Sequence, residues 1–169
     1  MTARWSALER CSPKGGVDSV QRIALGHAVV PATAAGAREL GVRYWAELER
    51  CSRGLVHVRD RAGEITLVLA GVLTLFRFGS GQVRVDDAAV ECRFPILGGV
   101  LVARAGGSLA VAQRVGRAHE LDVSVTGYFP RLATGSLRRV RRLVYATVQR
   151  PLHLAVSRRF LLRAARSRS

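Results

Sequence analysis

Lysine is almost missing from this chain, and acidic residues are missing from its C-terminal part. Lys14 is the one lysine among 27 basic residues, and no Asp or Glu follows Asp122. Residues 131–169 contain eleven arginines and carry a charge of +11, whereas residues 1–130 carry a net charge of +4. A GC-rich genome explains arginine in place of lysine, but it does not explain the missing acids. The basic end favours an anionic partner, with a solvated basic face as the alternative.

Long apolar runs are missing as well. The longest stretch without a charged side chain, residues 23–37, has fifteen residues and contains Gly26, His27 and Pro31. A membrane-spanning helix needs about 20 apolar residues, so the sequence excludes one. The length of 169 residues and the hydrophobic content of 49% are typical of one folded domain with a real core.

Cysteine is scarce, and its spacing excludes the common metal sites. Cys11, Cys51 and Cys92 are far apart, and no CxxC or Cys/His ligand spacing occurs. We therefore predict no metal and no cofactor. Unpaired cysteines favour a reducing, cytoplasmic location, with peripheral membrane association as a further option. The first thirteen residues lack the apolar core of a signal peptide, so we expect no secretion.

Catalytic motifs are missing too. The sequence contains no G-x-S-x-G, G-x-G-x-x-G, phosphate-binding loop or H-E-x-x-H, and its four histidines are isolated. No catalytic residue is assigned, and binding is favoured over catalysis. An enzyme such as a cyclase or hydratase is the alternative if a polar cluster converges inside the fold, around His57 or Arg93.

Aromatic residues make up only 6% of the chain. Among the arginines of the C-terminal part, the aromatic residues are Tyr145 and Phe160. Proteins that bind single-stranded nucleic acid need aromatic surfaces on which bases stack. The sequence therefore predicts at most a salt-dependent attraction to a phosphate backbone.

Two helices are predicted, and the first spans residues 32–50, where alanine and other good helix formers dominate. Gly36 and Gly41 could divide it into two shorter helices. Its apolar stripe at helical spacing consists of Leu40, Tyr44, Trp45 and Leu48.

The second predicted helix spans residues 137–166 and is amphipathic. Pro151 cannot donate a backbone hydrogen bond and clashes with the preceding turn, so we expect a kink or a junction of two helices there. The apolar stripe consists of Leu137, Val140, Val144, Val148, Leu152, Val156 and Phe160.

Between the two helices the hydrophobic period changes to two, which predicts seven or eight short strands. Turns of two to four residues leave no space for crossover helices, so we expect an antiparallel meander, either a curved sheet or barrel-like. Gly71 is expected either to bend one long strand or to lie in a strand covered on both faces. The predicted strands are 55–59, 64–70, 72–78, 82–85, 90–94, 99–104, 108–113 and 120–126.

The predicted fold class is therefore α+β, an antiparallel sheet preceded by a helical segment and covered by a long, Pro-kinked C-terminal helix. This order of elements is that of a helix-grip or lipid-transfer fold, and a lipocalin-like barrel with an added helix is similar. We divide the chain into an N-terminal extension (1–37), a helix-plus-sheet domain (38–130) and a basic helical segment (131–169). The extension has no clear pattern, and a helix, a first strand and a poorly ordered arm are the alternatives for it.

One short segment occurs twice. Residues 5–12 and 45–52 are identical at six of eight positions, but the match does not continue on either side, so a solenoid is not supported. We interpret the two copies as similar amphipathic helix ends.

The predicted function is non-enzymatic binding of an apolar or amphipathic small molecule in a cavity between sheet and helix. Two apolar segments that contain arginine, 92–99 and 127–131, could frame its rims, and arginine there could hold a carboxylate or phosphate. The candidate ligand-binding residues are His57, Arg93, Phe94, Tyr128 and Arg131.

The alternative function is an interaction module that docks on an anionic membrane surface or nucleic acid through its arginine-rich C-terminal helix. The candidate residues for that surface are Arg138, Arg139, Arg142, Arg158, Arg159 and Arg163.

Overall fold

The computed structural model describes residues 5–12, 16–116, 118–131 and 150–166. No helix in this part of the chain is long and apolar enough to cross a membrane. In chain order its elements are β1 (Trp5–Cys11), β2 (Val17–Leu25), α1 (Ala34–Cys51), β3 (Val56–Arg61), β4 (Glu64–Leu69), β5 (Leu73–Phe78), β6 (Gln82–Val85), β7 (Ala89–Gly98), β8 (Ser108–Arg114), β9 (His119–Tyr128) and α2 (Arg150–Arg166).

The strands form one antiparallel sheet in the order β1-β2-β9-β8-β7-β5-β4-β3, with β6 beside β7. Within the described residues the two end strands, β1 and β3, do not pair with each other, so the sheet is open. Strand β2 lies inside the sheet, between β1 and β9, although the sequence pattern predicts no definite element there. Its buried face carries the polar residues Ser19 and Gln21, so the alternation of apolar and polar residues that marks a strand is interrupted in the sequence.

Strand β7 is where the sheet divides. Its first half pairs with β6 through residues 90–93, and its second half pairs with β5 through Ile96 and Gly98. The opposite edge of β7 pairs with β8. Strands β3, β4 and β5 therefore join the other strands through two residue pairs, Arg77 with Gly98 and Phe78 with Ile96.

Helix α1 begins at a capping threonine and lies unusually close to the sheet. The Thr33 hydroxyl accepts a hydrogen bond from the Gly36 N–H at 3.1 Å, which satisfies one of the free donors of the first turn. A Cβ atom at Gly41 would lie 2.7 Å from the ring of Phe94 on β7. Gly41 therefore allows the close approach of helix and strand and does not divide the helix.

Seven of the ten aromatic residues form one continuous chain of ring contacts through the core. Trp45 of α1 is its centre, because its ring lies 5.1 Å from Phe78, 5.1 Å from Phe94 and 5.3 Å from Tyr44. Edge-to-face contacts of this kind are worth about 0.5–1.5 kcal/mol beyond the area that they bury. The seven rings are Tyr128, Phe76, Phe78, Trp45, Phe94, Tyr44 and Phe160.

Helix α2 packs against β2, β9 and α1. Its buried side chains include Val156, Phe160 and Leu161, and Phe160 meets Tyr44 of α1 edge-to-face at 5.6 Å. Arginines occupy its exposed positions, so the helix is amphipathic as predicted.

The α+β class, the antiparallel sheet and the C-terminal helix are confirmed. Gly71 closes the turn between β4 and β5 instead of bending one strand or lying in a covered one. Pro151 is the second residue of α2, and the predicted helical residues before 150 lie outside the described residues, as does any kink that involves them.

The strand predicted at residues 99–104 is wrong. Gly98 and Gly99 have φ of 156° and 127°, and the chain after them forms a loop with one isolated bridge, between Val102 and Pro130. The loop packs on β5, where the Val100 and Leu101 N–H groups donate to carbonyls of that strand. A Cβ at Gly99 would lie 2.2 Å from the Leu75 carbonyl oxygen, so this path requires glycine.

The interpretation of the repeated segment as two helix ends is right for the second copy and wrong for the first. Residues 5–11 form strand β1, whereas residues 45–51 form the end of α1. The first copy pairs with β2 over seven residues, and the second continues a helix that is already capped at Thr33. Long-range pairing therefore decides the conformation of a segment whose own helix propensity is good.

The two copies give a matched pair of substitutions. We expect Trp45→Ala to lower the free energy of unfolding by about 3–5 kcal/mol, because it opens a cavity at the centre of the aromatic chain. Trp5, in the same sequence context, is 38% exposed on β1, so Trp5→Ala should cost less than about 1 kcal/mol. Urea unfolding measures both, and equal losses would contradict a central role for Trp45.

Candidate functional site

The structure brings two of the predicted ligand residues into the same core layer. Phe94 contacts Trp45, and Tyr128 contacts Phe76, so both rings belong to the aromatic chain. The Tyr128 hydroxyl donates to the Leu101 carbonyl oxygen at 2.8 Å, and the Arg131 N–H donates to the same oxygen at 2.9 Å. Tyr128 and Arg131 therefore hold the loop after β7 against the end of β9.

The other two predicted ligand residues lie elsewhere. Arg93 follows strand alternation onto the face of the sheet opposite to Phe94, where its Nε donates to Glu91 at 2.8 Å. His57 is exposed on β3, at the end of the sheet.

The outer face of the sheet, which carries Arg93, is an ion-pair network. Asp122 is 1% exposed, and its Oδ2 atom lies 2.8 Å from Arg114 Nε and 3.8 Å from Arg22 Nε. Burial raises the pKa of Asp122, although both arginines favour its charged form. Because each of these arginines faces a carboxylate, the network ties β2, β8 and β9 together and leaves little excess charge.

The predicted anionic-surface residues divide into two groups. Arg138, Arg139 and Arg142 lie outside the described residues. Arg158, Arg159 and Arg163 are exposed on α2. The guanidinium of Arg158 lies 5.5 Å from the ring centre of Trp5, which joins α2 to β1.

An open groove of about 250 Å³ lies between α1 and α2. Positions 43, 47 and 50 are spaced by four and three residues, so they share one face of α1. Phe160 and the two alanines form its apolar wall. The groove is lined by Arg43, Ala46, Glu47 and Arg50 of α1 and by Phe160, Arg163 and Ala164 of α2.

Glu47 is the buried centre of this groove, with a side chain that is 4% exposed. Its Oε2 atom accepts hydrogen bonds from Nη1 of Arg50 and, at 3.3 Å, from Nη1 of Arg163. Arg43 pairs instead with Glu39, one turn earlier. One buried carboxylate therefore faces two guanidinium groups, and each of them donates to it through one nitrogen.

A thiol lies beside Glu47. Cys51 Sγ lies 3.5 Å from Glu47 Oε1. Burial, and then the neighbouring Glu47 carboxylate, raise the pKa of the Cys51 thiol. Such a thiol is a poor nucleophile at neutral pH.

The sequence analysis assigned Arg163 to the basic surface but missed Arg43, Glu47 and Arg50. The spacing of those three residues on one helix was the available signal. Spacing within α1 could not identify Arg163 as a partner of Glu47. The two residues are 116 positions apart and meet only through the packing of the two helices. No group of three His, Cys, Asp or Glu side chains in the described ranges could hold a metal ion.

Fold and groove together define an α+β protein with one open antiparallel sheet and an arginine-lined groove between its two described helices. No protein-family model matches the sequence, and no curated protein matches it.

Two solved structures match this chain weakly. CalU16 from Micromonospora echinospora shares 15% identity over 98% of this chain and 92% of that one, with a TM-score of 0.32. Cyanobacterial PsbP (CyanoP) from Synechocystis sp. PCC 6803 shares 13% identity over 90% of this chain and 79% of that one, with a TM-score of 0.28. Neither similarity is close enough to assign a function.

The three thiols should react at very different rates with a disulfide reagent at pH 8. Cys11 is exposed and should react first. Burial raises the pKa of Cys92 to about 11, so on the order of one thiol in a thousand is ionised at pH 8. We expect one fast thiol in the native protein and three after unfolding; rapid reaction of Cys51 would contradict the groove geometry.

Proposed function

We propose that this protein binds an anionic amphiphile, a carboxylate or phosphate head group with an apolar chain, in the groove between α1 and α2, and that it acts as a binding protein and not as an enzyme. The observation that supports the proposal is the meeting of three guanidinium groups with an apolar wall in one groove. Ligand sites commonly combine apolar lining with a few polar groups that converge.

The head group would bind to Arg50 and Arg163. Each already donates to Glu47 through one nitrogen, and a guanidinium has five N–H donors. The remaining donors can bind a planar carboxylate or a phosphate with two hydrogen bonds. Glu47 occupies one donor of each guanidinium group and so competes with the head group for them.

The apolar chain would lie on Phe160, Ala46 and Ala164. A volume of about 250 Å³ is somewhat below the common range of roughly 300–1,000 Å³ for ligand pockets. The groove therefore suits a head group and the first part of a chain. The aromatic chain occupies the layer between α1 and the sheet, which is why the ligand is placed between the helices and not under them.

The test is a titration with dodecyl phosphate and dodecanoate below their micelle concentrations, with an uncharged dodecyl glycoside as the control ligand. We expect Arg163→Gln and Arg50→Gln each to weaken anion binding about tenfold, since each removes one charge-assisted contact. Arg166→Gln is the matched control because Arg166 lies on the same helix outside the groove, and it should change affinity less than twofold.

Glu47→Gln separates a binding role from a merely structural one. Both Glu47→Gln and Arg163→Gln break the same ion pair, so a structural role predicts that they act alike. If the arginines bind the ligand, Glu47→Gln should strengthen anion binding severalfold, because Glu47 competes with the ligand for both guanidinium groups. Equal binding of the uncharged glycoside, or a loss with Glu47→Gln, would contradict the proposal.

A second candidate function is docking on an anionic membrane surface through the outward side of α2. The supporting observation is that no carboxylate in the described ranges pairs with Arg158, Arg159 or Arg166. We favour a membrane over nucleic acid because Trp5 is the large aromatic side chain that the described surface exposes, and it already lies under Arg158.

Sedimentation with vesicles that contain an anionic lipid tests this docking. Because each arginine near such a surface contributes about 1 kcal/mol, we expect the triple change of Arg158, Arg159 and Arg166 to glutamine to weaken binding on the order of 100-fold. Changing Arg10, Arg61 and Arg84, which lie on the sheet, removes the same charge and should have a much smaller effect. Binding that does not weaken as salt rises would reject the idea.

A further inference from the structure

We infer that the turn between β4 and β5 is a membrane-insertion point. The inference rests on the second candidate function, since an anionic bilayer is the partner in both. Three apolar side chains project at this turn: Val72 is 87% exposed, Leu55 is 63% exposed and Leu73 is 43% exposed. The Ala70 N–H donates to the Leu55 carbonyl at 2.8 Å, which places Leu55 beside the turn. We call these three residues the apolar tip.

The geometry of the turn does not require apolar residues. The hairpin between β3 and β4 has a similar pair of positive φ angles, 52° at Ala62 and 83° at Gly63 against 48° at Ala70 and 77° at Gly71, although its connection is one residue shorter. Glu64 follows the first pair, whereas Val72 follows the second. One exposed apolar residue is ordinary, but three together at one tip indicate a contact with something apolar.

Three arginines lie around the apolar tip, and we call them the arginine collar. Arg59 Nη2 donates to the Gly71 carbonyl at 3.2 Å. Arg53 is exposed two residues before Leu55, and Arg50 is exposed in the last turn of α1. Arg50 also lines the groove, so collar and groove are continuous.

Of the acidic residues close in sequence, Asp60 accepts the Gly63 N–H at 3.1 Å, and the two others do not neutralise the collar fully. Glu47 is shared between Arg50 and Arg163. Glu49 Oε1 accepts the Val58 N–H at 2.7 Å and so supports the start of β3. Arg53 and Arg59 have no ion-pair partner in the described part of the chain.

An apolar tip with guanidinium groups beside it fits the interface of an anionic bilayer. The apolar side chains would enter the boundary between head groups and acyl chains, and the guanidinium groups would meet lipid phosphates. An apolar pocket on another protein would account for the tip but leave the collar without a role. A lipid surface accounts for both.

The experiment compares vesicles of phosphatidylcholine with vesicles that also contain a quarter phosphatidylglycerol, using the full chain. The tip variant carries Leu55→Ser and Val72→Ser. Its matched control carries Val85→Ser and Val115→Ser, two exposed apolar residues beside another turn. We expect the tip variant to bind the anionic vesicles at least tenfold more weakly than the wild type, and the control less than twofold more weakly.

A fluorescent probe reports insertion directly. Val72→Cys, in a chain with Cys11→Ser, is labelled with a polarity-sensitive dye, and Val115→Cys in the same background is the control. We expect a blue shift and quenching by lipids labelled in the acyl chain at position 72, and no change at position 115.

The outcomes separate the inference from the function on which it rests. If the α2 triple variant loses binding while the tip variant binds like the wild type, the inference is overturned and the docking function stands. If the tip variant loses binding while the α2 triple variant binds like the wild type, the tip is the docking site and α2 is not. If the wild type does not bind anionic vesicles, both the inference and the docking function are overturned. A dimer that the tip variant dissociates without lipid also overturns the inference, because the tip then contacts a second copy.

Discussion

The fit of Trp45 between two parts of the sheet is the interaction on which the rest of the structure depends. Strands β3–β5 pair with the other strands of the sheet through only two residue pairs, so the β-ladder alone fixes their orientation weakly. Trp45 contacts Phe78 on one part and Phe94 on the other, and Gly41 lets α1 lie close enough for both contacts. Tyr44, which directly precedes Trp45, contacts Phe160 of α2, so the same packing sets the geometry of the groove.

Much of the sheet could be predicted from the sequence, because strands β3–β9 alternate with local turns that glycine marks. The first two strands could not be predicted with any certainty. Polar Ser19 and Gln21 occupy buried positions on β2, and the sequence of β1 nearly repeats that of a helix end. The loop at 99–104 was missed for a related reason. Its residues alternate like a strand, but Gly99 follows a path set by contact with β5. Local pattern fails where long-range packing selects the conformation.

The candidate site shows the same division between local and long-range information. The excess of arginine near the C-terminus is plain in the sequence, but the sequence does not show which arginines are neutralised. The arginines of the outer sheet face lie next to Asp122 or Glu91, whereas Arg158, Arg159 and Arg166 have no such neighbour within the described residues. The positive charge of the described residues is therefore unevenly neutralised, and arginines without a carboxylate partner lie along α2.

The division of the sheet at β7 has a mechanical consequence. A load applied at the turn between β4 and β5 reaches the other strands through the ladder with β7, through the loop after β7 that donates hydrogen bonds to β5, and through ring contacts with Trp45 and Tyr128. Side-chain packing therefore carries part of that load, because the ladder itself has only two residue pairs. The end of the molecule that carries the most exposed apolar residue is thus held to the sheet by packing as well as by strand pairing.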